Sequence, residues 1–455
     1  GIYMLYVSDI ISRFNGKLLC GDENMILDNF CKDTRIIKNG DIYVGIKGES
    51  FDGNNFYADA FDKGAKACIL DNTTLVDTDR YGDKTIILVD NTLECIGKLA
   101  KYKRSLLNIP VVAITGSVGK TSTKDMVASV LSTKYKVLKT EGNNNNNIGL
   151  PFTILRYKDE DVMVIEMGMN HFGEISYLTD IVRPTIGVIT NIGTAHIGIL
   201  GSRENILKAK LEIIEGLNGP LIINNDNDII RNNIKYIKSL NDIVTIGIDN
   251  DSDYKASDIS DDLTRFKING NDMECDIGNT AFIYNSLVAY SVGSLCDIDV
   301  DNIRNGIKNF KLTGNRLEFK KARCRAILID DTYNASLDSI RSSLEILKNK
   351  EAKRRIAVIG DVLEVGDYNE EIHTKIGEEL FKSNLDIIVT IGDNTRYTDK
   401  FLENKGFDNR YHFNNESESY EFFDDMLKDG DVVLFKASNG MKLKNIVNHL
   451  VMEDR

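Results

Sequence analysis

Residues 109–124 read Ile-Pro-Val-Val-Ala-Ile-Thr-Gly-Ser-Val-Gly-Lys-Thr-Ser-Thr-Lys, and they constrain this chain more than any other stretch. The β-prone run Val111 to Ile114 predicts a strand. It meets a glycine loop closing on Gly119-Lys120-Thr121, behind which Met126, Val127, Val130 and Leu131 recur at helical spacing. Strand, glycine loop and helix N-terminus together make an anion cradle. Backbone N–H groups and the positive end of the helix dipole face phosphates, and glycines allow close approach. Gly116, Ser117, Val118, Gly119, Lys120, Thr121 and Ser122 are therefore the expected nucleotide-binding residues. Lys120 would reach the terminal phosphates and the Thr121 hydroxyl would ligate Mg²⁺. A bare Gly-Lys-Thr could be an ordinary turn; the strand before it and the helix after it favour the cradle.

The 455 residues suggest about three domains of ordinary size. Hydrophobic content of 42% beside 27% charged residues is a globular balance. No apolar run approaches the roughly 20 residues of a membrane span, and the first residues lack an export signal. A cytoplasmic protein is expected, with Met4 reading as the native start. Net charge of −13 argues against general nucleic-acid or anionic-membrane binding. The seven cysteines lie far apart with no Cys-x-x-Cys pair, so neither zinc nor disulfides are expected.

Three segments follow from the patterning, all α/β. Residues 1–107 read as a small mixed domain, with an amphipathic start (Val7, Ile10, Ile11, Phe14) and short strands at 41–46 and 67–70. The charged stretch 98–108 reads as a linker. Residues 108–313 alternate strand-like and helical runs. The apolar runs 162–165, 186–190 and 221–223 suit a parallel sheet buried on both faces, and 243–283 suits an antiparallel insertion. Residues 314–455 repeat the alternation as a Rossmann-like doubly wound unit. Its strands are expected at 326–329, 356–359, 387–391 and 432–435, and a helical stripe is formed by Ile340, Leu344 and Leu347. Polar residues collect just past those strands, at the edge where open α/β sheets bind ligands.

Three side chains in the middle segment carry chemistry. Glu166 ends an apolar strand in the phosphate-loop sheet, where it could hold Mg²⁺ or face solvent. His196 follows another apolar strand, and suits a metal ligand or a structural hydrogen bonder equally. In the helix beginning near Ser202, Ile206, Lys210, Ile213 and Leu217 fall at i, i+4, i+7 and i+11. That puts Lys210 on the apolar stripe. Lys208 instead sits with Glu204 and Glu212 at i±4, an ion-paired solvent face. An inward lysine has its pKa lowered by desolvation, and the neutral amine can add CO₂ to become a metal-ligating carbamate. A lysine snorkelling from the stripe's edge fits the spacing as well.

These motifs, in this order, resemble the Mur ligases, ATP-dependent amide-forming enzymes of peptidoglycan assembly. The likeness is greatest to the branch that joins D-alanyl-D-alanine to UDP-N-acetylmuramoyl-tripeptide, and it spans nearly the whole chain. The resemblance implies a UDP-substrate-binding domain at Asp33, Thr34, Arg35, Lys47 and Gly48. It implies substrate contacts at Asn143 and Asn147, and metal positions at Thr121, Glu166, His196 and carbamylated Lys210 for two Mg²⁺ ions. In the last domain it implies ATP contacts at Arg316, Asp331, Tyr333 and Asn334, joined by Asn285 from the middle one. Asp361, His373, Lys436 and Ser438 would face the dipeptide. Lys120, Lys210, His196, Glu166 and Arg316 are the implied catalytic set of a monomeric enzyme.

The chain departs from that family's pattern at Ala281, Leu337, Asn54 and Asn439, none of them an implied metal or phosphate ligand. Two other enzymes of the superfamily compete: one adding the third residue, and one like folylpolyglutamate synthase. The segment Asp33-Thr34-Arg35 argues against the latter. A non-catalytic nucleotide-binding scaffold is a further alternative, but it would not need Lys120, Glu166, His196, Lys210 and Arg316 together.

Overall fold

The structure is a computed structural model describing residues 3–142, 144–312 and 317–451. Beside a two-stranded pairing of Leu5–Tyr6 with Ile26–Leu27, three larger sheets are drawn in turn from the early, middle and late parts of the chain. The first is five-stranded, in the order Lys17–Cys20, Thr85–Leu88, Ala67–Leu70, Ile42–Val44, Phe30–Cys31. The helix Val7–Arg13 buries Val7 and Ile10, as the amphipathic start implies.

The stretch read as a linker is instead the second half of the helix Thr92–Ser105. Its late charges are buried because two helix ends need cations. Lys103 Nζ donates to the carbonyls of Leu155 (3.0 Å) and Tyr157 (2.6 Å), at the end of the helix Gly149–Leu155. Arg104 donates to those of Val182 (2.7 Å) and Arg183 (2.8 Å), at the end of the helix Glu174–Val182. A cation beside the last carbonyls satisfies orphan acceptors and the negative end of the dipole together.

The middle sheet has nine strands. Val111–Thr115 lies inside it, with Val162–Glu166 on one side and Ile186–Ile189 on the other, both parallel to it. Val137–Lys139 closes one edge, and Leu221–Asn224, Ile243–Gly247 and Tyr254–Ser257 extend the other, still parallel. The antiparallel insertion is thus smaller than its patterning suggested. Only Arg265–Ile268 and Asn271–Glu274 run antiparallel, and residue 280 already begins the helix Thr280–Leu295. The alternation of Phe266 and Ile268 belongs to that hairpin, whereas the polar residues near 250 are a loop between parallel strands.

The last sheet has six strands, ordered Glu318–Lys321, Ile327–Asp331, Asp431–Lys436, Arg354–Gly360, Ile387–Ile391, Arg410–Phe413. All but the first run parallel. Successive residues point to opposite faces. Ile356 and Val358 pack with Phe423 and Ile446, whereas Ala357 and Ile359 pack with Ile340 and Ile376. The unit is doubly wound, as expected. Among the described residues no helix is long and apolar enough to cross a membrane.

Burial pushes the Lys103 ammonium down to about 8 from its ordinary 10.5. The unfolded chain therefore binds more protons between those values, so the stability that Lys103 contributes rises with pH through that window. Lys103→Met should cost about 1–3 kcal/mol by stranding two carbonyls. The deficit should widen between pH 8 and 10.5. Denaturant titrations of both proteins across that range measure it, and a deficit independent of pH contradicts the assignment.

Candidate active site at the edge of the middle sheet

The phosphate loop is held by the strand beside it. Gly119 has φ +80°, and a Cβ on Gly116 would overlap the Thr190 hydroxyl, so both positions require glycine. The N–H groups of Ser117 and Val118 donate to Asn191 Oδ1 at 3.2 and 3.0 Å. Thr190 Oγ1 and Asn191 Nδ2 donate to the Val118 carbonyl at 3.0 and 3.1 Å. Gly193 N–H donates to Ser117 Oγ at 2.9 Å. Behind the loop the helix Lys120–Leu131 starts. Asn285 joins its first turn: Nδ2 donates to Ser122 Oγ (3.0 Å), and Oδ1 accepts from Thr123 Oγ1 (2.6 Å).

Glu166 ends the neighbouring strand with only 1% of its surface exposed. Its carboxylate accepts from Thr121 Oγ1, 3.0 Å from either oxygen, and from Asn145 Nδ2 at 3.2 Å. A further chain of bonds fixes its backbone. Glu166 N–H donates to Thr140 Oγ1 (2.9 Å), and buried Lys124 Nζ donates to the Thr140 carbonyl (2.8 Å). A buried carboxylate served by neutral donors is short of positive charge.

His196 sits with φ +63°, its Nδ1 3.3 Å from a Glu364 carboxylate oxygen. Burial, then the nearby Lys120 and Lys210, push it below the usual histidine range, against the opposing pull of Glu364. Lys210 lies on the helix Arg203–Leu211 and is 1% exposed. It makes no hydrogen bond or ion pair with any described residue. Burial, then Lys120, push its ammonium well below the ordinary lysine value.

Across from these groups stands the edge of the last sheet. Lys436 and Asp331 are register partners on adjacent strands and pair at 2.9 Å. Ser343 Oγ also donates to Asp331, at 2.5 Å. Between the two sheets lies a cleft of about 970 Å³, lined on one side by the phosphate loop, Glu166 and His196, on the other by Asp331, Tyr333 and Lys436.

Residues 114–293 match the Mur ligase middle domain, and residues 315–439 the glutamate ligase domain of Mur ligases. The chain is 35% identical to the UDP-N-acetylmuramoyl-tripeptide–D-alanyl-D-alanine ligase of Bacillus subtilis, over 94% of each protein. It is 32% identical to the ligase of that name from Synechocystis, over 95% of this chain and 94% of the other. It superposes on MurF from Acinetobacter baumannii with a TM-score of 0.86, at 26% identity and 98% coverage of both. On MurF ligase from Thermotoga maritima, solved in complex with ADP, the TM-score is 0.80 at 27% identity, covering 93% and 97%. The chain belongs to the Mur ligase family.

In this Mur ligase the cleft gathers Ser117 to Ser122, Glu166, His196, Asn285, Asp331, Tyr333, Asn334 and Lys436. Gly116 and Lys210 lie just behind that lining. Arg316, Gly314, Asn315 and Asn143 fall outside the described residues. The residues expected to face the UDP substrate are not in the cleft. Arg35 turns back on Asp33 through a bidentate pair, with contacts of 3.0 and 2.8 Å, that holds the Asp33 carboxyl at about 2. Thr34 lies between them in a short helix, while Lys47 bridges to Asp52 and Gly48 N–H donates to the Phe51 carbonyl. Asn147 is exposed.

Three residues expected to face the dipeptide make bonds to the backbone around them. His373 is fully buried; its Nε2 accepts from Val362 N–H (3.1 Å) and its Nδ1 donates to the Asn369 carbonyl (2.8 Å). It presents no free ring nitrogen to a ligand, and holds the 360–366 loop from behind. Asp361 caps Thr395 N–H (2.9 Å), and Ser438 Oγ accepts from Leu363 N–H (3.0 Å). Lys208 is exposed as expected, but Glu212 does not pair with it: its carboxylate accepts from the N–H groups of Gly173 (3.0 Å) and Ser176 (3.1 Å), capping another helix. Two departures are explained locally. Asn54 is buried, donating to Asp52 and Asp71 at 2.7 Å each while accepting from Asp71 N–H. Leu337 begins the helix Leu337–Asn349 and buries its side chain.

Sequence reasoning missed Asn191 and Asn145. Asn191 lay within the quoted motif around His196, and a polar residue just past a strand beside the phosphate loop was the available signal. Asn145 was hidden in the asparagine tract 143–147, where composition says nothing about which residue faces inward. Asn191→Ala should strand the N–H of Val118 and loosen the cradle, costing about 1–3 kcal/mol of nucleotide affinity. That is roughly a tenfold to hundredfold rise in the ADP dissociation constant by calorimetry. Unchanged affinity contradicts the clamp.

Proposed function

We propose that this Mur ligase joins D-alanyl-D-alanine to UDP-N-acetylmuramoyl-tripeptide at the cost of ATP, through an acyl phosphate. The observation that carries the reading is a cleft that brings the phosphate loop, buried Glu166 and His196 together, with buried Lys210 close enough to act on that histidine. The relatives named for this activity share the full length of the chain. The division supporting it is 1–107 for the UDP substrate, 108–313 for ATP and 314–455 as lid and dipeptide platform. A cytoplasmic location suits a UDP-linked substrate.

Phosphoryl transfer needs positioning and charge neutralisation more than covalent help. The terminal carboxylate of the tripeptide attacks the γ-phosphorus, and the bond to the β-phosphate oxygen breaks, releasing ADP. The dipeptide amine then attacks the acyl carbon; phosphate leaves with the bonding pair, and the nitrogen gives up a proton. Ser117, Val118 and Gly119 cradle the phosphates, and Lys120 reaches the terminal one. Asp331 stands on the opposite side of the cleft, so closing it excludes water from the acyl phosphate.

Among the described residues no three His, Cys, Asp or Glu side chains form a metal cage by themselves. That suits Mg²⁺, which is usually held by one or two carboxylates together with substrate phosphates. Thr121 and Glu166 would hold one ion, and His196 with carbamylated Lys210 the second. When bound, the ions neutralise phosphate charge. The fit rests on Glu166, a buried carboxylate whose hydrogen bonds come from a hydroxyl and an amide, and on the His196 ring that lines the same cleft.

Phosphate release should require both the UDP-tripeptide and the dipeptide; release without the dipeptide at the full rate would reduce the chain to an ATPase. Lys120→Ala should abolish release while leaving the melting temperature within a few degrees. Lys210→Ala should lose most activity and recover part of it with a short carboxylic acid that refills the vacated space. Lys208→Ala, at an exposed lysine, should cost about 0–1 kcal/mol. Equal losses at the two lysines, with no rescue, would reduce Lys210 to a packing residue.

A further inference from the structure

The loop that carries His196 is gripped on both sides of that histidine by the last sheet's elements. On one side stands Asp338, at the start of the helix Leu337–Asn349. Its Oδ2 fills the space where a Cβ on Gly193 would lie. On the other side, backbone meets backbone. A Cβ on Gly198 would come within 2.5 Å of Gly366 N and Val365 C, and 2.7 Å of the Glu364 carbonyl. Tyr368 Oη donates to the Gly201 carbonyl at 2.7 Å, and Glu364 reaches His196 itself. Glu364 and Gly366 both hold positive φ, +62° and +53°, so this corner is a shaped turn. Gly193 also donates to Ser117 Oγ, which links the same loop to the phosphate cradle.

We infer that residues 193–201 form a docking cradle, and that Asp338 and the Glu364–Gly366 corner are positioning residues for His196. The inference rests on the reaction proposed above. Seating the last sheet fixes the loop at two points that straddle the histidine, so His196 reaches its working position only when the cleft is closed. The two glycines are the means: each leaves a gap that the opposing element fills, and any side chain would hold the seam apart.

Gly198→Ala is a clean probe because Gly198 lies in the helix Ile197–Leu200 and is not among the positive-φ glycines. Alanine suits that backbone, and its methyl meets only the opposing corner. Lys208→Ala, at an exposed side chain outside the cradle, is the control. Asp338→Ala unseats the other grip should Gly198→Ala fold poorly. The full chain with ADP and Mg²⁺ should show a larger radius of gyration in Gly198→Ala than in the parent or in Lys208→Ala. Its kcat should fall roughly 10²-fold, as misplacement by about 1 Å does. The KM for ATP should stay within about threefold, because the phosphate loop is held inside the middle sheet. An unchanged radius or an unchanged kcat overturns the inference, whichever of the two it is. Failure of the parent protein to release phosphate in response to the dipeptide would instead sink the proposed reaction, while the scattering comparison would still decide the docking.

Discussion

Two ionisable side chains, Glu166 and Lys210, are buried beside the phosphate loop's sheet, and the rest of the site is arranged around them. Glu166 and Lys210 are each 1% exposed. Glu166 receives a hydroxyl and an amide, both neutral; Lys210 receives nothing. Isolated buried charge is costly enough that a group neutralises or finds a partner. Lys210 can take the first course, since burial and Lys120 both favour its neutral amine. A fold that tolerates both is one completed by its substrates.

Strand order does the assembling. Val111–Thr115 lies between Val162–Glu166 and Ile186–Ile189, all parallel, so three loops emerge side by side at one edge. The first is the glycine cradle, the second carries Glu166, and the third carries Asn191 and His196. Asn191 ties the third loop to the first, and Gly193 and Gly198 offer that same loop to the last sheet. The middle sheet therefore holds phosphates by itself, whereas the placement of His196 depends on both halves of the cleft.

Much of this was legible in the amino-acid order because it is local. The strand, loop and helix around Lys120, the strand-end position of Glu166 and the inward face of Lys210 all follow from periodicity over a dozen residues. What depended on distant partners was not legible. Residues 98–105 looked like a linker because they are charged, yet Lys103 and Arg104 are buried on helix ends that lie more than 50 positions away. His373 was expected at the dipeptide because of the family resemblance, but both its nitrogens serve neighbouring backbone. Asn145 could not be told from its neighbours within a run of five asparagines. Pattern reports which face is buried; it does not report what waits on that face.

The central claim is that Lys210 is a neutral amine held ready for CO₂. Carbon-13 NMR of the enzyme in labelled bicarbonate tests it without any turnover. A slowly exchanging carbamate resonance should appear in the parent protein and in Lys208→Ala, and be absent from Lys210→Ala. No such resonance in the parent at saturating bicarbonate, or the same resonance in Lys210→Ala, would contradict the account.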